Sequence, residues 1–362
     1  MEFRYYIIMA VSFLALQFLI FCFSRTVRWL FNLSQTSTKR FNLISYVLAN
    51  ALMLIHITRI MPMFKEVALL LTLLLFALFI SASALVIYQL LRLVFNPNKL
   101  SFALRICYPF AYLGLIGLAI FNAYVPNVIH YSVTLDKPLE QSLRIGVASD
   151  LHLGKFFGAK QLDKLVGIFN QQKVDLILLP GDIMDDDTQA YVAENMQSHL
   201  EKLKAPLGVY ATMGNHDLFG AEQEIFAEIE KAGIKVLWDQ AVNFEGKFAI
   251  IGRNDELVKN RPTAEQLLQN VDVRLPVFLL DHRPTEIEQH STLPIDLQVS
   301  GHTHNGQIFP ANIITNLMYR LPYGYEKIGL GHYFVTSGYG FWGIPMRLGS
   351  QSEVFIIDVK GK

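Results

Sequence analysis

Four long apolar runs near the start of the chain decide most of what it can become. They cover about residues 5–24, 41–60, 67–95 and 104–129, and their interiors hold almost no charge. Each reaches the roughly 20 residues a helix needs to cross a hydrocarbon core. A cleaved leader beginning at Arg4 would explain the first run but not the three that follow. Four consecutive spans of this kind are a poor fit to buried helices of a soluble core. Residues 1–130 therefore read as a four-helix, multi-pass membrane region, expected in the cell (inner) membrane.

Charge divides the chain at the same place. Residues 1–130 carry 10 Lys/Arg and 2 Asp/Glu, whereas residues 131–362 carry 21 and 29, so the overall net charge of zero hides a basic apolar half and an acidic polar half. The acidic half lacks the basic surface that nucleic-acid binding requires, and nucleic acid is not an expected partner. Both cysteines, Cys22 and Cys107, lie in apolar runs. A disulfide or thiolate metal site within the polar half is thereby excluded. Arg25, Arg28, Lys39, Arg40, Arg92, Lys99 and Arg105 flank one side of the spans; Arg4, Arg59, Lys65, Lys137 and Arg144 flank the other. The excess of the first set places it in the cytoplasm and the polar domain outside. His56 near the end of the second span reads as a headgroup-level histidine close to Arg59.

Residues 131–142 read as a connector, with Pro126 and Pro138 marking the passage. From Leu143 onward short apolar runs alternate with helical periodicity. Strands are expected at 143–149, 174–179, 208–213, 248–252, 277–280, 297–300, 333–336 and 354–359, and helices near 159–171, 189–203 and 221–231. Mixed strands and helices indicate an α/β domain over 143–362.

Five polar clusters close these strands: Asp150-Leu151-His152, Gly181-Asp182, Gly214-Asn215-His216-Asp217, Asp281-His282 and Gly301-His302-Thr303-His304. On an extended backbone, residues two apart point the same way, so Asp150 with His152 and His302 with His304 could each address one ion. Asp182 projects from a strand end and could bridge two ions, one carboxylate oxygen to each. Asn215 offers an amide oxygen. Carboxylate, imidazole and amide together suit two divalent ions of the Mn, Zn or Fe type. Two such ions are the usual apparatus for hydrolysing phosphate esters.

The ordered set Asp150-x-His152, Gly181-Asp182-x-x-Asp185, Gly214-Asn215-His216-Asp217, His282 and Gly301-His302-x-His304 resembles the calcineurin-like metallophosphoesterases over about residues 143–359. The resemblance implies a four-layer α/β/β/α sandwich with a dimetal site on one edge. It implies one metal on Asp150, His152, Asp182 and His304, and a second on Asp182, Asn215, His282 and His302. His216 would act as the catalytic imidazole, oriented by Asp217; a loop-stabilising carboxylate is the other reading of Asp217 and of Asp185. Residues 337–349, Glu353 and Leu279-Leu280-Asp281-His282-x-Pro284 resemble the YkuE/YaeI-like bacterial membrane-associated phosphodiesterase branch.

Ser/Thr protein phosphatases carry an arginine where this chain has Asp186, so the resemblance disfavours phosphomonoesters. Arg253, Arg283 and Arg347 remain as candidates for gripping a phosphate, each with a structural alternative. His130, His199, His290 and His332 read as surface or core histidines. The expected activity is hydrolysis of phosphodiester or pyrophosphate bonds, on a substrate that could be lipid-linked. A non-catalytic metal-binding sensor or scaffold is the alternative. Nothing in the sequence calls for an obligate protein partner.

Overall fold

A computed structural model describes residues 2–362, with side chains from residue 9 onward; the side chains of Arg4 and Tyr5, at the start of the first apolar run, lie outside that description. The contacts divide the chain into two units, residues 1–119 and 120–362.

The first unit is built from helices α1 (Glu2–Phe31), α2 (Gln35–Ile57), α3 (Phe64–Leu91) and the greater part of α4 (Pro97–Tyr124). All four are long and apolar enough to cross a membrane. Their ends follow local chemistry. Ser34 accepts a hydrogen bond from the Ser37 amide and starts α2. Asn96 accepts from the amides of Asn98 and Lys99, and Pro97 stands in the first turn of α4, where a missing N–H costs nothing. Leu16, Leu19, Ile20, Ala49, Met53, Val67 and Leu74 pack between α1, α2 and α3. Polar links accompany them: Gln17 to Asn50 at 2.9 Å, and Thr26 to Ser81 at 2.7 Å. Leu14, Phe18, Leu43, Leu48, Leu85 and Phe110 are exposed, as lipid-facing side chains must be.

The second unit holds two six-stranded sheets. In the first, β1 (Asn127–Thr134), β2 (Leu143–Val147), β3 (Leu176–Pro180), β4 (Val209–Thr212), β5 (Lys235–Val236) and β12 (Glu353–Lys360) lie in the order β1-β12-β2-β3-β4-β5. In the second, β6 (Gln240–Phe244), β7 (Phe248–Arg253), β8 (Val277–Asp281), β9 (Leu297–Ser300), β10 (Gly324–Ile328) and β11 (Gly331–Val335) lie in the order β10-β11-β9-β8-β7-β6. Within β3, Leu176 and Leu178 enter the core between the sheets, while Ile177 and Leu179 face the outer helices. That is the period of two expected of a strand buried on both faces. Helix α5 (Ala159–Gln172) covers the first sheet with Leu162, Leu165 and Phe169. The helix Ala264–Leu268 covers the second. The four-layer sandwich is thereby complete.

Strands β2, β3 and β4 are parallel, as are β7, β8 and β9. Their C-terminal ends carry the polar clusters, the edge where open α/β sheets bind ligands.

The structure corrects three local expectations. The fourth helix stops at Tyr124, because residue 125 precedes Pro126 and the helical region is disfavoured there. Residues 127–134, expected as the end of a span and part of a connector, form β1, paired in parallel with β12. The single helix expected near 189–203 is two short ones, Gln189–Ala193 and Gln197–Leu200, separated where Asn195 takes a φ of +49°.

Phe278 is fully buried between the sheets, its ring stacked 5.2 Å from that of Phe248. Phe278→Ala leaves a cavity there and is expected to cost about 3–5 kcal/mol. An earlier unfolding transition of the detergent-solubilised chain would show it.

Candidate metal centre

Asp150 and His152 do not sit on an extended strand: β2 ends at Val147, and both residues adopt left-handed backbone, φ +54° and +44°. Asp182, His302 and His304 do the same, at +51°, +71° and +47°. Each such turn costs an L residue on the order of 1–2 kcal/mol. Strand ends and backbone hydrogen bonds hold them in place. His152 N donates to Asp182 O at 3.0 Å, and His302 N donates to Asp150 Oδ1 at 3.0 Å.

Two clusters result. His304 Nε2 lies 3.4 Å from Asp150 Oδ1 and 3.1 Å from His152 Nε2. Asp182 Oδ2 lies 3.2 Å from His282 Nε2 and 3.8 Å from His152 Nε2, so it stands between the groups Asp150–His152–His304 and Asp182–His282–His302. Asn215 Oδ1 and His152 Nδ1 are buried and make no hydrogen bond. Lone pairs withdrawn from water and left unsatisfied are costly unless an ion uses them. These donors fit a pair of divalent cations. His282 Nδ1 faces Pro180 O at 2.8 Å, an orientation that leaves Nε2 for a metal.

The electrostatics agree. Burial drives His152 down to about 3 and holds His302 and His304 well below the ordinary histidine range, so all three rings are neutral. Burial also pushes Asp150 up to about 6. Burial opposes a charged His282 as well, but the Asp182 carboxylate outweighs it and carries that imidazole up to about 10. Asp182 is held well below the usual carboxylate range: burial works against its charge, and His282, His152 and His216 favour it. Without a metal, a proton on His282 thus supplies positive charge to the centre.

His216 Nδ1 lies 2.5 Å from Asp186 Oδ1, and its ring is 4.8 Å from that of His152. Burial lowers its affinity for a proton, but the Asp186 hydrogen bond and the charges of Asp182, Asp186 and Asp185 together raise it above the ordinary value. The orienting role expected of Asp217 therefore falls to Asp186. Asp217 is fully buried and accepts from the amides of Ile183, Met184 and Gly214, tying the β3 and β4 loops together. The run Asp185-Asp186-Asp187 was the sequence signal for such a carboxylate. Asp185 Oδ1 lies 3.8 Å from His152 Nδ1.

The arginines separate into different roles. Arg253 is buried against Asp281 at 3.1 Å and also pairs with Glu286, so its guanidinium is already committed to two carboxylates. Arg347 is fully buried; it donates to Ser337 O at 2.8 Å and to His304 Nδ1 at 3.1 Å, so it fixes a ring rather than gripping a substrate. Arg283 makes a two-pronged bond to Asp255 and keeps part of its side chain exposed near His302. His290 and His332 are buried with polar partners, while His199 pairs with Asp163 at the surface and His130 is exposed.

The sequence profile of the calcineurin-like phosphoesterases matches residues 143–306. The chain is similar to an uncharacterized metallophosphoesterase of Helicobacter pylori, 30% identical over 74% of this chain and 74% of the relative. It is 31% identical to another from Aquifex aeolicus, over 67% of this chain and 94% of the relative. A zebrafish transmembrane protein with a metallophosphoesterase domain is 30% identical over 69% of this chain and 61% of its own length.

Two outcomes test the centre. A Cβ on Gly214 would lie 2.2 Å from Asp182 Oδ1, so Gly214→Ala should displace the shared carboxylate and abolish metal uptake, measured by elemental analysis. Protons compete with the ion for these ligands. Between the Asp150 value of about 6 and the His282 value of about 10, uptake must expel a proton. Affinity should rise roughly tenfold per pH unit there, and fall more steeply below it as Asp150 protonates. Calorimetry in buffers of different protonation enthalpy would count the protons released.

Proposed function

Because the chain belongs to the metallophosphoesterase family, we propose that it is a membrane-anchored hydrolase using two divalent ions to cleave phosphodiester or pyrophosphate bonds. The observation that carries this reading is the position of Asp182 between two ligand groups, with the paired His216 and Asp186 beside them. Asp150, His152, Asp182 and His304 would hold one ion, and Asp182, Asn215, His282 and His302 the other. The oxygen and nitrogen donor set suits Mn, Fe or Zn. When bound, two such ions would supply Lewis acidity and lower the pKa of water.

The remaining chemistry belongs to the chain. With Nδ1 engaged by Asp186, His216 presents Nε2 to a substrate, and its raised proton affinity suits it to act as an acid. Water adds at phosphorus and releases one proton to solvent, the phosphorus–oxygen ester bond breaks, and the departing oxygen takes the His216 proton, which solvent then restores. Arg283, held by Asp255, would meet a non-bridging phosphate oxygen. The Asp186 carboxylate stands where a protein phosphatase carries an arginine, which favours the singly charged diester over a doubly charged monoester. The Lys/Arg bias of the loops supports an extracytoplasmic domain. The membrane attachment supports, without requiring, a lipid-linked or envelope substrate.

Detergent-purified protein supplied with Mn or Zn should hydrolyse a chromogenic phosphodiester faster than the corresponding monoester. Asp182→Asn should remove both metal and turnover; His216→Ala should keep the metal and lower turnover by roughly 10²–10⁴-fold. An acid is lost as pH rises through its pKa, and Asp186 is what raises that of His216. Asp186→Asn should therefore move the alkaline limb of the rate profile to lower pH. Arg283→Gln should raise KM more than it lowers kcat. Tight metal binding with no turnover of any ester would replace this reading with the non-catalytic sensor.

A further inference from the structure

The helix Ala311–Met318, next to the metal centre, turns a row of apolar side chains to solvent. None of its residues is buried, and Ile313, Ile314, Leu317 and Met318 are 52%, 58%, 83% and 67% exposed. Spaced as adjacent pairs one turn apart, they form one stripe. The segment carries no charge, and Thr315 and Asn316 bond back to Asn312 O within the helix. Elsewhere in the domain, as in α5, the apolar stripe of a helix is turned into the core.

Its position is fixed relative to the chemistry. The helix starts against the turn that follows His304, where a Cβ on Gly306 would collide with Asn312 N at 2.1 Å. It ends at Tyr319, whose ring is 6.2 Å from that of His302. From the same turn, Gln307 reaches Trp342, accepting from its N and donating to its O, both at 2.9 Å. Trp342 is 44% exposed and 6.0 Å from the His216 ring; Phe219, also exposed, is 5.0 Å from it. Exposed apolar groups thus border both His302 and His216.

The segment bearing Trp342 also receives the end of α4. Phe341 meets the Tyr124 ring at 5.4 Å, Ser352 N donates to Asn122 O at 2.8 Å, and Gln351 Nε2 donates to Val125 O at 2.8 Å. The apolar rim is therefore joined to residues 122–125, which belong to the same unit. An uncharged apolar stripe with a tryptophan beside it has the composition of a bilayer-interface element.

We infer that Ile313, Ile314, Leu317, Met318 and Trp342 seat the rim of the metal centre in the lipid surface, so that the site works on an amphiphilic phosphate ester held in the bilayer. The substrate class rests on the hydrolase reading above; the lipid contact does not. The scissile group enters from the lipid surface while its hydrocarbon part stays in the membrane.

Two measurements on the full chain in lipid nanodiscs test this. Leu317→Cys, made after replacing the free cysteines Cys22 and Cys107, is labelled with an environment-sensitive fluorophore. Its emission should shift to the blue and be quenched by lipids carrying spin labels. A label left in water, or one shielded by protein and not quenched, overturns the inference. Separately, the double variant Ile314→Ser/Leu317→Ser should turn over a water-soluble chromogenic diester within about twofold of wild type, as surface substitutions do. On a diester bearing a long acyl chain it should fall roughly tenfold or more, the effect of losing one large buried apolar side chain in binding. Equal loss on both substrates, or on neither, overturns the substrate class. Quenching without any wild-type turnover would remove the hydrolase reading and leave the lipid contact standing.

Discussion

Asp150 and Asp182 are removed from water, and among the described residues the ion-pair partners within 4 Å are imidazoles. That arrangement is unfavourable in a low-dielectric interior unless positive charge is brought in. The surrounding structure answers this constraint. Five of the seven proposed ligands accept left-handed backbone in order to converge. Glycines stand where any side chain would strike the carboxylates: a Cβ on Gly301 would come within 2.1 Å of Asp150 Oδ2. Two sheets meeting along one edge supply the rigid strand ends from which such turns can be held. Free energy released by taking up ions would also relieve the buried charge, which would couple metal content to fold stability.

The layering was legible because strands buried on both faces read as short unbroken apolar runs, such as Leu176–Pro180. The strand β1 was hidden by its neighbour. Residues 127–134 continue the apolar run of α4, and Pro126 is the sole punctuation between a helix and a strand of similar composition. Asp-x-His and His-x-His were read as period-two alternation. The paired side chains do converge, but through left-handed turns, a conformation that sequence alone does not announce for Asp or His.

Residue roles were less legible than residue positions. Asp217 follows His216 in sequence, yet it binds three backbone amides, and the carboxylate that meets the imidazole comes from a different loop. Arg347 has the residue type that grips phosphates but is enclosed by carbonyl oxygens. Burial distinguished these cases, and burial depends on partners distant in the chain. The exposure of Ile313, Ile314, Leu317 and Met318 could not be read either, because their spacing is that of any amphipathic helix.

The position of β12 bears on how the molecule is made. This strand, residues 353–360, lies between β1, which directly follows the last apolar helix, and β2. The first strand to leave the ribosome after the spans therefore has no neighbour until residues past 353 have been synthesised. Glu353, at the head of the same strand, accepts hydrogen bonds from Thr336, Ser337 and Tyr323. Completion of the first sheet by β12 is thus a late event in biogenesis. A ribosome that stalls before residue 353 yields anchored chains with an open sheet edge, exposed to quality-control proteases.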